Sequence, residues 1–205
     1  MQAWNDLRAD SDKLKELLSR GNSFKFHSLS ALSSKEFLHV YPAVRKNKLR
    51  FYLLSSRYDT QKCKKKELRK HLGRAKFKFQ KFPGNKKSDS ISQKEAEELI
   101  GNWEANALAW WINEQCKKFG GLLSAFAIPG SDIPCKGEMI AFLALSKNKP
   151  LENDPYMADL VIWARDERLV PYIYSDTVRP VPPFGGGLGS ERQAFYLFEL
   201  AGINL

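Results

Sequence analysis

The sequence is poor in the residues that most often carry chemistry. Its 205 residues hold three histidines and three cysteines. His27, His39 and His71 are dispersed, and no C-x-x-C or H-x-x-x-H spacing occurs. No metal set can therefore be built from near neighbours in sequence. Each histidine is expected to be a surface or partly buried polar residue. Cys63, Cys116 and Cys135 are odd in number and far apart. A disulfide framework is not expected, and reduced thiols in a cytoplasmic protein are. No run approaches the roughly 18 apolar residues of a membrane-spanning helix. The stretch MQAWNDLRADSDKLKELL lacks the apolar core of a secretory signal. The G-x-S-x-G elbow, the P-loop lysine and a G-x-G-x-x-G between strand and helix are also missing. No cofactor is expected. A nucleophile and base that meet only in space are not excluded, but the residues lean away from catalysis.

What is present in excess is positive charge in one place. The formal net charge is +10. Lys62–Lys87 holds twelve Lys or Arg against the single acid Glu67, a local charge of +11. Residues 1–61 carry +5 and residues 88–205 carry −6. Apolar residues make up 43% of the chain, close to ordinary globular values, so a folded core is expected beside this segment.

Residues 3–20 read as a helix stopped by Gly21-Asn22. Residues 23–35 read as a loop or short strand. Residues 36–45 and 49–58 alternate as strands joined by Lys46-Asn47-Lys48, an antiparallel hairpin. Pro42 cannot donate to a ladder, which places the first strand at an edge or gives it a bulge. Residues 60–72 favour a helix ended by Gly73. Residues 74–82 alternate as a strand, with Ala75, Phe77 and Phe79 facing inward and Arg74, Lys76 and Lys78 facing outward. Ser92 and Glu95 form a capping box for a helix over about residues 93–118, roughly 39 Å long. Its ANALAWWI stretch, apolar nearly all round, predicts a helix buried through its middle. Strands follow at 122–128, 138–146, 158–165 and 169–176, with a tight turn at Asp166-Glu167. An irregular Gly-rich connector leads to a helix at 191–201 capped by Ser190. The expected class is α+β: a long central helix on a curled antiparallel sheet, with an N-terminal helix plus hairpin. Residues 1–87 and 88–205 form two portions, or one continuous domain. The second portion is expected to hold a four-strand antiparallel meander.

Neutralising phosphates needs several cations along one face, and Lys62–Lys87 offers a helix and a strand side by side. The candidate polyanion-binding residues are Lys62, Lys64, Lys65, Lys66, Arg69, Lys70, Arg74, Lys76, Lys78 and Lys81. Phe77, Phe79 and Phe82 interleave with them, either as core residues or as platforms for unpaired bases. Three functions stay open. The first is non-catalytic binding of nucleic acid or another polyanion. The second is a protein-interaction module, with the basic face meeting an acidic partner, the acidic half of the same chain, or a second copy. The third is a small-ligand pocket or enzyme beside the long helix, lined by Trp103, Trp110 and Trp111. A Mg²⁺-dependent nuclease would need convergent carboxylates, for which Asp132, Glu138 and Asp159 are the candidates. The stretch FGGGLGSER at 184–192 could cradle phosphate at a helix start or serve as a joint.

Overall fold

The structure, a computed structural model, describes residues 1–27, 32–33, 35–84, 91–104, 107–133, 137–147, 156–165, 171–174, 179–181 and 195–200. The expected first helix is two helices, α1 (Gln2–Leu7) and α2 (Ser11–Leu18). Asp10 separates them. Its carboxylate accepts a hydrogen bond from Lys13 N at 3.1 Å and caps α2, since a short acidic side chain competes well for free backbone donors at a helix start.

The Ser-rich stretch begins as β1 (Ser23–His27). β2 (Phe37–Arg45) and β3 (Lys48–Ser55) form the expected hairpin. Lys46 and Asn47 both have positive φ, 52° and 54°, as a two-residue turn matched to strand twist requires. Next come α3 (Lys65–His71) and β4 (Gly73–Lys78). The single central helix is described as two segments, α4 (Gln93–Glu104) and α5 (Ala107–Phe119), with residues 105–106 outside the described set. Ser92 Oγ accepts from Glu95 N at 3.1 Å, the expected N-terminal cap. β5 (Ala125–Pro129), β6 (Glu138–Ser146), β7 (Met157–Arg165), β8 (Pro171–Tyr174), β9 (Arg179–Val181) and α6 (Tyr196–Leu200) complete the order. The connector expected to be irregular from Arg179 instead begins as the strand β9; the rest of it, the Asp166-Glu167 turn and Ser190 lie outside the described residues.

The nine strands among the described residues join one antiparallel sheet in the order β8-β7-β6-β1-β4-β3-β2-β5-β9. β6, β7 and β8 form a meander, but β5 pairs with β2 instead of β6. β2 is therefore interior and not an edge. Its ladder with β5 stops at Val40–Phe126, short of Pro42, so the missing N–H is tolerated. The sheet curls, and β9 approaches β7.

Alternation gives the sheet two different faces. The inner face is apolar from β5 across to β7, including Phe24, Phe51, Phe126, Leu143 and Leu160. Phe24 and Phe51 stack at 4.1 Å. Helices α1, α2 and α5 close this side through Trp4, Leu14, Leu18, Trp111 and Ile112. The expectation of a helix buried through its middle is corrected here. Trp111 and Ile112 are buried, while Ala109 and Trp110 are exposed because α5 covers the core with one side only. On the outer face α4 covers β6 and β7 through Leu99 and Ile100 against Ile140, Phe142 and Trp163. Leu68 of α3 and Leu197 and Phe198 of α6 cover Tyr41 and Leu54. No helix among the described residues is long and apolar enough to cross a membrane.

Candidate functional site

The two helical covers of the outer face leave a strip between them, on β1, β4 and β3. Its side chains follow from register. Arg74, Lys76 and Lys78 alternate outward on β4 while Ala75 is buried beneath. Lys76 lies directly opposite Arg50 of β3, and Arg74 opposite Tyr52. Lys78 lies opposite Ser23 of β1. Lys25 is two residues on from Ser23, on the same face. The result is a grid of cations drawn from three strands.

Most of this charge is not neutralised. Lys25 pairs with Glu138, the one ion pair to a cation of these three strands' outer face among the described residues. Among the described residues no carboxylate pairs with Arg50, Arg74, Lys76 or Lys78. Arg74 instead sits over the Tyr52 ring, 5.7 Å from its centroid. The Arg50 Nε is buried without a hydrogen-bond partner among the described residues. Like charges directly across an antiparallel pair destabilise it, so the Arg50–Lys76 pair is a local cost to the fold.

The helical candidates border this strip. Leu68 of α3 is buried in the cluster that holds Tyr41 and Leu54, and Leu54 is on the same face of β3 as Arg50 and Tyr52. Lys65, Lys66, Arg69 and Lys70 are exposed on α3, and Lys62 and Lys64 are exposed just before it. Lys70 bonds Glu67 at 2.9 Å and His71 bonds it at 3.2 Å; together they hold the Glu67 carboxyl below its usual range. Lys81 is exposed beyond β4. All ten candidate cations are thus exposed. Arg74, Lys76 and Lys78 form the floor of the strip, and α3 supplies a flank.

The three phenylalanines part company. Phe77 packs against Phe51, and Phe82 packs edge-on to Phe142 at 5.4 Å. Phe79, expected to face inward, is 63% exposed, because β4 ends at Lys78 and leaves it beyond the sheet. The backbone around it is pinned. Asn22 N donates to Lys78 O at 3.3 Å, Gln80 N donates to Asn22 Oδ1 at 2.9 Å, and Asn22 Nδ2 donates to Gln80 O at 2.9 Å.

Strand alternation puts Arg50 and Tyr52 on one face of β3, yet nothing local says that this face adjoins the β4 cations. Lys25 was missed because its stretch read as a loop or a short strand with no assigned partner or face. A buried polar cluster was missed too. His39, expected at the surface or partly buried, is 2% exposed: its Nδ1 lies 2.6 Å from Asp59 Oδ2, and Asp59 is fully buried. Tyr41 donates its hydroxyl to the same oxygen. Leu197 N, at the start of α6, donates to Asp59 Oδ1 at 2.8 Å. Burial, reinforced by Asp59, pushes the Tyr41 phenol well above its ordinary range. The cluster is sealed by Phe195, stacked on His39 at 4.1 Å. It ties α6 to the sheet, and the His39, Tyr41 and Asp59 side chains are buried.

The nuclease carboxylates do not converge. Glu138 opens β6, and Asp159 lies opposite Ala144, six residues along the same strand, so about 20 Å separates them at strand rise. Asp132 is in the turn after β5, with its carboxyl pushed up by burial. No group of three metal-ligating residues occurs among the described residues. An apolar cavity does touch Trp103 and Trp111, but not Trp110. Its volume is about 20 Å³, room for roughly one water molecule and far below the several hundred Å³ of ordinary ligand pockets. Comparison with family models, curated proteins and solved structures finds no match, so the site is defined by its own geometry.

Proposed function

We propose that this protein binds nucleic acid or a related polyanion through the outer strip of its sheet and the flank supplied by α3. The observation that carries this is the unneutralised cross-strand grid of Arg50, Arg74, Lys76 and Lys78. A fold gains nothing from like charges set opposite one another; a polyanion that replaces small counterions along the strip gains affinity by releasing them. Neutralisation by the acidic half of the chain has less support. Among the described residues the only ion pair reaching the ten candidate cations comes from Glu67, inside the basic segment itself.

The test is binding of a labelled oligonucleotide across a salt series. Affinity should fall steeply as salt rises. The Arg74→Ala, Lys76→Ala double variant should bind at least about tenfold more weakly, with a log–log salt slope reduced by roughly 1.4 for two single-strand phosphate contacts. Absence of binding at low salt, or an unchanged slope in the double variant, ends this reading. An acidic protein or a second copy of the chain as partner would instead give assembly that dissolves at high salt with no oligonucleotide binding.

A further inference from the structure

The strip is shaped as well as charged. Its floor is three strands wide, so two interstrand spacings, about 10 Å, separate β1 from β3. On one side stands α3, held by Leu68. On the other stand α4, packed on Ile140 and Phe142, and residues 82–84, held by Phe82 against Phe142 and by Trp163 Nε1 donating to Gly84 O at 3.3 Å. A packed helix is itself about 10–12 Å across, so these flanks rise well above the floor. A duplex, whose major groove alone is about 12 Å wide, is too broad to reach Arg50, Lys76 and Lys78 together. One extended strand is not.

At the Lys78 end of the floor a large apolar ring is displayed on a fixed backbone. Phe79 is 63% exposed, with Lys78 before it and Lys81 just after it, both exposed. Three hydrogen bonds through Asn22 hold residues 78–80 in place. The neighbouring rings of the segment, Phe77 and Phe82, are engaged in packing. Phe79 is therefore the one ring of the three that a base can cover, and its main chain is already ordered before any ligand arrives, which limits the entropy lost on stacking.

We infer that the ligand is a single-stranded nucleic acid, its phosphates on the β3–β4 cations and one base stacked on Phe79. This rests on the polyanion-binding reading above and narrows it to a strand that carries unpaired bases. The chemistry required, a phosphodiester backbone with a free base, is common to RNA and DNA.

The experiment compares four ligands by fluorescence anisotropy: a labelled single-stranded 12-mer as RNA, the same sequence as DNA, its DNA duplex, and labelled heparin, a polyanion without bases. At least one single strand should bind tenfold or more tighter than the duplex. Phe79→Ala should weaken that single strand by about 5- to 100-fold, the range for loss of one stacked base, while heparin affinity stays within twofold. Phe79→Trp should retain binding. A duplex that binds as tightly as both single strands overturns the inference. So does a Phe79→Ala variant that binds single strands undiminished. Failure of all four ligands to bind would instead remove the polyanion reading beneath it.

Discussion

Two polar regions on the outer face of the same sheet are built on opposite rules. Around Asp59 three groups converge on one carboxylate: the His39 ring, the Tyr41 hydroxyl and the Leu197 N–H. All are buried, and together they fix α6 to β2. On the neighbouring strip Arg50 and Lys76 face one another with no carboxylate between them. Tyr41 and Tyr52 are direct cross-strand partners, so a single step along the sheet leads from one region to the other. The first region pairs the polar groups that it buries, as stability demands. The second region stays in contact with water and carries a repulsion that the fold does not relieve. Structural need explains the first; on the proposed function, a ligand explains the second.

The contrast can be broken most sharply at Asp59. Asp59→Ala strands three buried donors or ring nitrogens at once. At roughly 1–3 kcal/mol for each unsatisfied group, urea unfolding should show a loss of about 3 kcal/mol or more, with α6 released first. A loss below about 1 kcal/mol would mean that the cluster does not hold the fold. Tyr41→Phe removes one donor and should cost about 1–2 kcal/mol. It also carries a pH signature. The Tyr41 phenol is raised in the folded state, so its contribution is whole below the ordinary phenol range near about 10 and is lost as pH climbs beyond it. Unfolding midpoints between pH 8 and 11 should fall in the wild type and fall less in Tyr41→Phe.

The smallest expected change in stability is the most diagnostic of the strip. Lys76→Glu places an acid opposite Arg50 and should stabilise the free protein by about 0.2–1 kcal/mol, while oligonucleotide binding collapses. Most substitutions destabilise, so a gain here marks a site held in its native form for a reason other than folding. A loss of stability in Lys76→Glu would place the strip and the Asp59 cluster under the same rule.

Much of the scaffold was legible in local pattern. The hairpin at Lys46-Asn47 follows from alternation on both sides of a turn, and the Ser92 cap from a polar residue three positions before Glu95. Strand β6 matches its expected limits because an apolar run between polar ends leaves little choice. The charged alternation of Arg74, Lys76 and Lys78 was visible for the same reason. What local pattern misjudged was partnership. Pro42 suggested an edge strand or a bulge, yet β2 is interior, paired with both β3 and β5, and the proline is tolerated because the β5 ladder stops short of it. His39 looked like any dispersed histidine, and Asp59, twenty positions away, gave no sign of being its partner. Phe79 shared the parity of Phe77 but lay one residue past the end of its strand.

The amino-acid sequence by itself determined that a dense basic segment adjoins a core-forming strand, and that the strand turns its cations to one side. Side-chain period and charge are properties of neighbours along the chain. Only the tertiary structure decided that Arg50 comes to lie opposite Lys76, that α3 and α4 flank a strip three strands wide, and that Phe79 stays outside the core on a pinned backbone. Those outcomes depend on which strands pair and where each ladder ends. Both are set by how the apolar faces of distant segments close over one another, and no local window of the sequence contains that information.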